Sequence, residues 1–179
     1  MLDPAIGLLA TLLFACLFAT AALHKLRAPA RFAEILAAYQ LLPAGLTGGA
    51  VLIPALEALA ALGLLLPATR AMGAGLGVVL LLSYAGAISV NLRRGRTQLD
   101  CGCGGADERR PIAAWMVVRN IVLAAALAAL ALPWQPRALT AADILTVVGG
   151  FAVGALLYAS LDRLLSRVVP EGARIAGSR

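Results

Sequence analysis

The chain has 179 residues, of which 61% are hydrophobic and 13% charged, about half the charged share of a soluble domain. With a mean hydropathy of +0.91, this predicts a multi-spanning membrane protein and excludes a soluble catalytic domain, since no polar stretch is long enough to build a core. The net charge of +6 does not point to nucleic acid, because the basic residues sit between apolar spans, where they orient a protein in the bilayer.

In chain order, a first span is expected from about residue 4 to 23. The start, Met-Leu-Asp, lacks the positive region of a signal peptide, so no cleavage is expected after Ala19-Thr-Ala21. Cys16 lies inside this span, where a free cysteine usually behaves as a small hydrophobe. His24-Lys25-Leu26-Arg27 closes it. Phe32, Ile35, Leu36, Tyr39 and Leu42 then recur at helical spacing with Arg31, Glu34 and Gln40 between them. That pattern predicts a short amphipathic helix over about 29–42, lying in the interface. A second span is expected over 46–66, with Pro54 as a kink and Glu57 near its middle. A third, over 71–92, begins with glycines at 73, 75 and 77, of which the Gly73–Gly77 spacing permits close helix packing inside the bundle. A fourth, over 112–132, carries Arg119 and Asn120, with Trp115 and Trp134 near its ends as interface anchors. Thr140-Ala-Ala-Asp143 reads as a helix-start capping arrangement for a fifth span over 141–161. Residues 1–165 thus form a single transmembrane domain, followed by a frayed basic tail over 166–179. The fold class is all-α integral membrane, a bundle of about five transmembrane helices with one short interfacial helix.

Between the third and fourth spans lies the longest strongly polar interruption, Asn91-Leu-Arg-Arg-Gly-Arg-Thr-Gln-Leu-Asp-Cys-Gly-Cys-Gly-Gly105. Cys101 and Cys103 stand one residue apart in it. That spacing permits a tight disulfide, and a strained disulfide is the more readily exchanged. The surrounding glycines supply the backbone freedom such a ring needs. The pair reads as a thiol–disulfide couple or as two soft metal ligands; the bland alternative is two free thiols in a loop. Three cysteines make no structural disulfide framework.

Five spans place Lys25, Arg27, Arg31, Arg93, Arg94, Arg96, Arg109, Arg110, Arg163, Arg167, Arg174 and Arg179 on one side and only Arg70 and Arg137 on the other. The positive-inside rule then predicts an outside amino terminus, with the cysteine loop and the carboxyl terminus cytoplasmic. His24 and Lys25 share the face of the cysteines, where a cation lowers a thiol pKa and a histidine accepts its proton. The competing reading of His24 is an interfacial residue capping its helix. Glu57 and Arg119 are costly in a bilayer unless paired or facing a cavity. Similar depths along their helices predict an ion pair between them, either as a packing device or, with Asn120, as part of a polar path or quinone-head site.

These residues resemble a known family. His24-Lys-Leu with Phe32 and Tyr39-x-Leu-Leu-Pro43 is similar to the opening of MauE, the methylamine-utilisation membrane proteins. So are Pro54-x-x-Glu57, the loop Asn91-Leu-x-x-Gly-Arg-x-x-x-Asp-Cys-Gly-Cys-x-Gly105, and Arg119-Asn120. The resemblance covers about residues 10–125, and the cysteine loop is its specific part. Gly104 stands where the family tends to place a bulkier residue. A looser similarity to DoxX-like proteins implies a four-helix core plus one helix.

The resemblance implies a bacterial inner-membrane protein that supports maturation of methylamine dehydrogenase or a related exported, disulfide-containing client. It implies a thioredoxin-like companion of the MauD type and no nucleic-acid partner. Cys101 and Cys103 would exchange, with His24 assisting. Clients of the family are periplasmic, whereas charge counting puts the loop in the cytoplasm, so electrons would cross the bilayer. A quinone, Cys16 or a partner's cysteines would complete that path. Two other functions compete: a soft-metal carrier using both thiolates with His24 or Cys16, and a non-catalytic scaffold for a redox partner. No dinucleotide fingerprint, phosphate loop or hydrolase nucleophile motif is present.

Overall fold

The computed structural model describes residues 2–41, 50–102 and 110–176, with side chains described up to residue 165. Among the described residues there are six α-helices and no strand longer than an isolated bridge. They are α1 (Pro4–Arg27), α2 (Pro29–Tyr39), α3 (Leu52–Leu65), α4 (Arg70–Arg93), α5 (Ala114–Ala128, extended by a 3-10 turn to Ala131) and α6 (Ala141–Ala176). Four of them are long and apolar enough to cross a membrane: α1, α4, α5 with its turn, and α6. The chain is a multi-pass helical membrane protein.

The second expected span is shorter than the sequence suggested. α3 has 14 residues, a length of about 21 Å against a hydrocarbon core of about 30 Å. Ala50 and Val51 form a 3-10 turn before it, and positions 46–49 lie outside the described residues. Pro54 does not kink this helix. It sits in the first turn, where its missing N–H leaves no intrahelical bond unmade. Pro67 disfavours a helical Leu66, and the helix ends one residue earlier. At its other end the chain also departs from expectation, because α6 runs on to Ala176 instead of ending near 161.

The helix starts follow local chemistry. Asp3 caps α1 by accepting the Ala5 N–H at 2.9 Å, with Pro4 at the first helical position. Thr140 and Asp143 form the expected reciprocal cap of α6, Thr140 N–H donating to Asp143 at 2.8 Å and Asp143 N–H to Thr140 Oγ1 at 3.3 Å.

α1, α3, α4 and α5 pack as a bundle in which α3 lies against α1 and α4, and α4 against α5; α6 lies outside it, against α1. The core joins Phe14 and Phe18 of α1, Ala60 and Leu64 of α3, Leu80 and Leu81 of α4, and Ala124 and Leu127 of α5. Small residues set the spacing. A methyl group on Gly73 would meet Gly63 C and Leu64 N at 2.6 Å, so α3 and α4 touch backbone to backbone. A methyl on Gly77 would meet Leu127 and Phe18 at 2.6–2.7 Å, whereas Gly75 faces open space. The expected glycine packing face is therefore internal, and it serves two different neighbours. Leu59, Leu62, Met72, Val79, Val118, Leu145 and Leu156 point outward, as lipid-facing side chains do.

The chain direction puts two distinct ends on the bundle. One holds Asp3, Arg70, Trp134 and Arg137. There Leu2 N–H donates to Pro133 O, the Arg70 guanidinium stacks 3.9 Å from the Trp134 ring centroid, and Arg137 bonds both Asp3 and Asp143. The other end holds the close of α1, all of α2, the close of α4, the cysteine loop and the start of α5.

Candidate functional site

The cysteine loop leaves α4 at Arg93 and returns at Ala114. Its two legs pair as a minimal antiparallel ladder: Cys101 N–H donates to Arg110 O at 2.8 Å, Ile112 N–H to Leu99 O at 2.9 Å, and Asp100 opposes Pro111. Asp100 organises the turn. Its Oδ1 accepts Gly102 N–H at 3.1 Å and Arg110 N–H at 3.4 Å, and its Oδ2 accepts Arg31 of α2 at 3.0 Å. An aspartate that accepts a bond from the residue two places on is a turn-forming arrangement, legible in the order Asp-Cys-Gly. Gly102 has φ of +69°, a conformation that favours glycine. A methyl there would also lie 3.4 Å from Ile35 and 3.8 Å from Phe32, so the turn rests on α2.

Cys101 is disulfide-bonded and partly buried, against a cluster of Tyr39, Ile88, Ile112 and Met116. Cys103 lies outside the described residues. Cys16 is a free thiol on α1. It lines an apolar groove of about 520 Å³ between α1, α3 and α6, with no other cysteine. Burial, and next the Asp100 charge, push the Tyr39 hydroxyl up to about 12. Asn91, fully buried, fastens the end of α4 to α2 by donating to Tyr39 O at 3.3 Å and accepting from Arg96 at 3.3 Å.

The intramembrane charges are partnered, but not with each other. Glu57, 0% exposed, pairs with Lys25 of α1 at 2.5 Å. Tyr84 of α4 donates to the same oxygen at 2.6 Å, while Glu57 Oε2 has no hydrogen-bond partner. The Lys25 ammonium also lies 5.5 Å from the Phe32 ring and 5.3 Å from the Tyr84 ring. Arg119 instead pairs with Asp162 of α6 at 2.5 Å, and Arg110 bonds the same carboxylate. The expected Glu57–Arg119 pair is thus replaced by two separate clusters. Depth along a helix is countable from sequence, but rotation is not: α4 stands between α3 and α5, and Arg119 turns to α6.

His24 is exposed and makes no side-chain hydrogen bond among the described residues, whereas its neighbour Lys25 turns inward. Asn120 is buried at 3% exposure with its Nδ2 unpartnered. Among the described residues no three His, Cys, Asp or Glu side chains gather as metal ligands would. Sequence reasoning took Lys25 for an orienting charge and a cation beside the cysteines, whereas it is spent on Glu57, and it passed over Tyr84 and Asp162. The available signal for Asp162 was an acid at the close of an apolar span, on the side of the membrane where the fourth span begins.

Comparison with known proteins fits this arrangement. The family described as methylamine utilisation protein MauE matches residues 3–135, which include α1 to α5 and the cysteine loop. The chain is 34% identical over 170 residues to methylamine utilization protein MauE of Methylophilus methylotrophus, covering 91% of this chain and 87% of that protein. It is 34% identical over 165 residues to the protein of that name from Paracoccus denitrificans, covering 90% and 89%. With the one from Paracoccus versutus it shares 39% identity over 152 residues, covering 84% and 82%. No solved structure matches the chain significantly. A family match across most of the chain, including its polar loop, and relatives of this identity over nearly full length show that the chain belongs to the MauE family.

Proposed function

We propose that the chain is an inner-membrane redox component of methylamine utilisation in which Cys101 and Cys103 exchange disulfides with a thioredoxin-like partner serving an exported client. The observation that carries this reading is the bonded state of Cys101 in a loop anchored on three sides, by Arg31 of α2, by Asn91 and Arg96 at the end of α4, and by Asp162 of α6. A cysteine bound in a disulfide is neither a free thiol nor a thiolate ligand, which favours exchange over metal carriage. In the reduced pair one thiolate attacks the partner's disulfide, and the partner's leaving sulfur takes up a proton. The second thiol then displaces the partner, which departs as a dithiol while the loop disulfide re-forms. Two electrons and two protons move together.

The charge asymmetry supports a cytoplasmic face for the loop and an outside amino terminus. Fusion of a compartment-specific reporter after Arg179 tests this, and activity in the periplasm would turn the loop to the client's side. Exchange itself is tested by trapping. A Cys101→Ser or Cys103→Ser variant is expected to hold a cysteine-linked partner that reductant releases. Normal client maturation with both changed to serine would leave only the scaffold role.

A further inference from the structure

We infer that Asp162 of α6, acting through Arg110, is the positioning residue that sets the acidity of the Cys101 thiol. The inference rests on the exchange reading above and adds to it what tunes one of the two sulfurs. The first observation is the ladder of the loop. Asp100 opposes Pro111, and the bonds Cys101 N–H to Arg110 O and Ile112 N–H to Leu99 O flank that bridge. This register makes Cys101 and Arg110 direct cross-strand neighbours. Opposed residues send their side chains to the same face, with Cβ atoms about 5 Å apart. A guanidinium is thereby rooted beside the sulfur.

The second observation is what receives that guanidinium. Arg110 bonds Asp162, and Arg119 bonds the other oxygen of the same carboxylate at 2.5 Å. All three side chains are only about 15% exposed, so their charges are weakly screened. Two cations thus share the carboxylate that holds Arg110, the cross-strand neighbour of Cys101, and a cation adjacent to a cysteine favours thiolate. The carboxylate moderates that effect and holds Arg110, and with it the return leg on which the Cys101 N–H is seated. Among the described residues, the cluster against which Cys101 packs holds Tyr39 of α2, the apolar Ile88 of α4, and Ile112 and Met116; its chain neighbour Asp100 carries a negative charge and is bonded by Arg31 of α2.

Asp162 stands beyond residue 135, where the family match ends. α6 is therefore more than an added span: it reaches the loop and sets its charge balance.

When Cys101 is the attacking sulfur, it loses its proton, its sulfur forms a bond to one sulfur of the partner's disulfide, and the other partner sulfur leaves and is protonated. The charge around Cys101 governs the first of these events. The test is the pH profile of alkylation. Full-length protein is reduced with a phosphine, treated with iodoacetamide across pH, and Cys101 is followed by peptide mass spectrometry. Asp162→Asn removes the shared carboxylate and is expected to move the Cys101 midpoint to lower pH, with roughly threefold to tenfold more thiolate at neutral pH. Asp162→Glu is expected to restore the native midpoint. Arg110→Gln, in otherwise native protein, is expected to move it to higher pH, and Asp162→Asn is expected to shift it far less in that background. A purely structural Asp162 would alter folding yield without this ordered set of shifts. An unmoved or raised midpoint in Asp162→Asn overturns the inference. If that variant does not fold, an unmoved midpoint in Arg110→Gln overturns it equally. The titration needs no partner: a trapped partner with unmoved midpoints sinks only the charge setting, whereas shifted midpoints with no partner ever trapped sink only the exchange reading.

Discussion

Replacing Lys25 by Met tests the buried pair that joins α1 to α3. Glu57 is 0% exposed, so it cannot recover a partner from water once Lys25 is gone. Lys25 is itself 8% exposed, and its ammonium lies 2.5 Å from the carboxylate. Breaking a buried pair by removing one member typically costs about 3–5 kcal/mol, because the other charge is left uncompensated. Tyr84 keeps donating to Glu57 and offsets about 1–2 kcal/mol of that, which leaves a loss of roughly 1–4 kcal/mol for Lys25→Met. Glu57→Gln strands Lys25, but nearer the bundle end. Once either residue is changed, the second substitution has little left to break, so the Lys25→Met, Glu57→Gln pair should be non-additive by about 1–3 kcal/mol. Unfolding of the purified protein by a denaturing detergent, followed by far-ultraviolet circular dichroism, supplies the four stabilities. The matching cycle of Glu57→Gln with Arg119→Gln should be additive within about 0.5 kcal/mol, since the two belong to separate clusters. An additive Lys25–Glu57 cycle, or a coupled Glu57–Arg119 cycle, would refute the arrangement.

Gly73→Ala should destabilise by about 1–3 kcal/mol, because its methyl meets backbone 2.6 Å away, while Gly75→Ala on the open face should change stability by less than about 0.5 kcal/mol; thermal unfolding of the two side by side checks this. Cys101→Ser or Cys103→Ser should abolish maturation of the disulfide-containing client in cells while leaving the membrane protein folded, and Cys16→Ser should have little effect; equal loss in all three would point to packing. The Tyr39 hydroxyl, raised to about 12, stays protonated in the folded chain after an unfolded tyrosine would ionise near 10. Its contribution to stability is therefore full below about pH 10 and lost as pH rises toward 12. Phenolate absorbance compared with Tyr39→Phe should show this group titrating about two units late, and ionisation near 10 would contradict the buried environment.

What could be read from the sequence is what depends on local composition. Runs of Leu, Ala and Val dictate helices for the membrane, and Pro4, Pro29 and Thr140-x-x-Asp143 mark where helices begin, because dihedral restriction and capping act within one turn. The cysteine loop stood out because a polar, glycine-rich stretch has no place inside a bilayer. The pairing of charges depended on helix rotation and neighbour order, which no single segment encodes. Glu57 turned to Lys25 and Tyr84, and Arg119 to Asp162, because the close contact of Gly63 with Gly73 places α4 against α3, and α4 in turn separates α3 from α5. The length of α3 was also decided by the fold. A 14-residue helix, short for a free span, is held by Ala60, Ala61 and Leu64 in the core and by the pair Glu57 makes with Lys25, so neighbours make up for the residues it lacks.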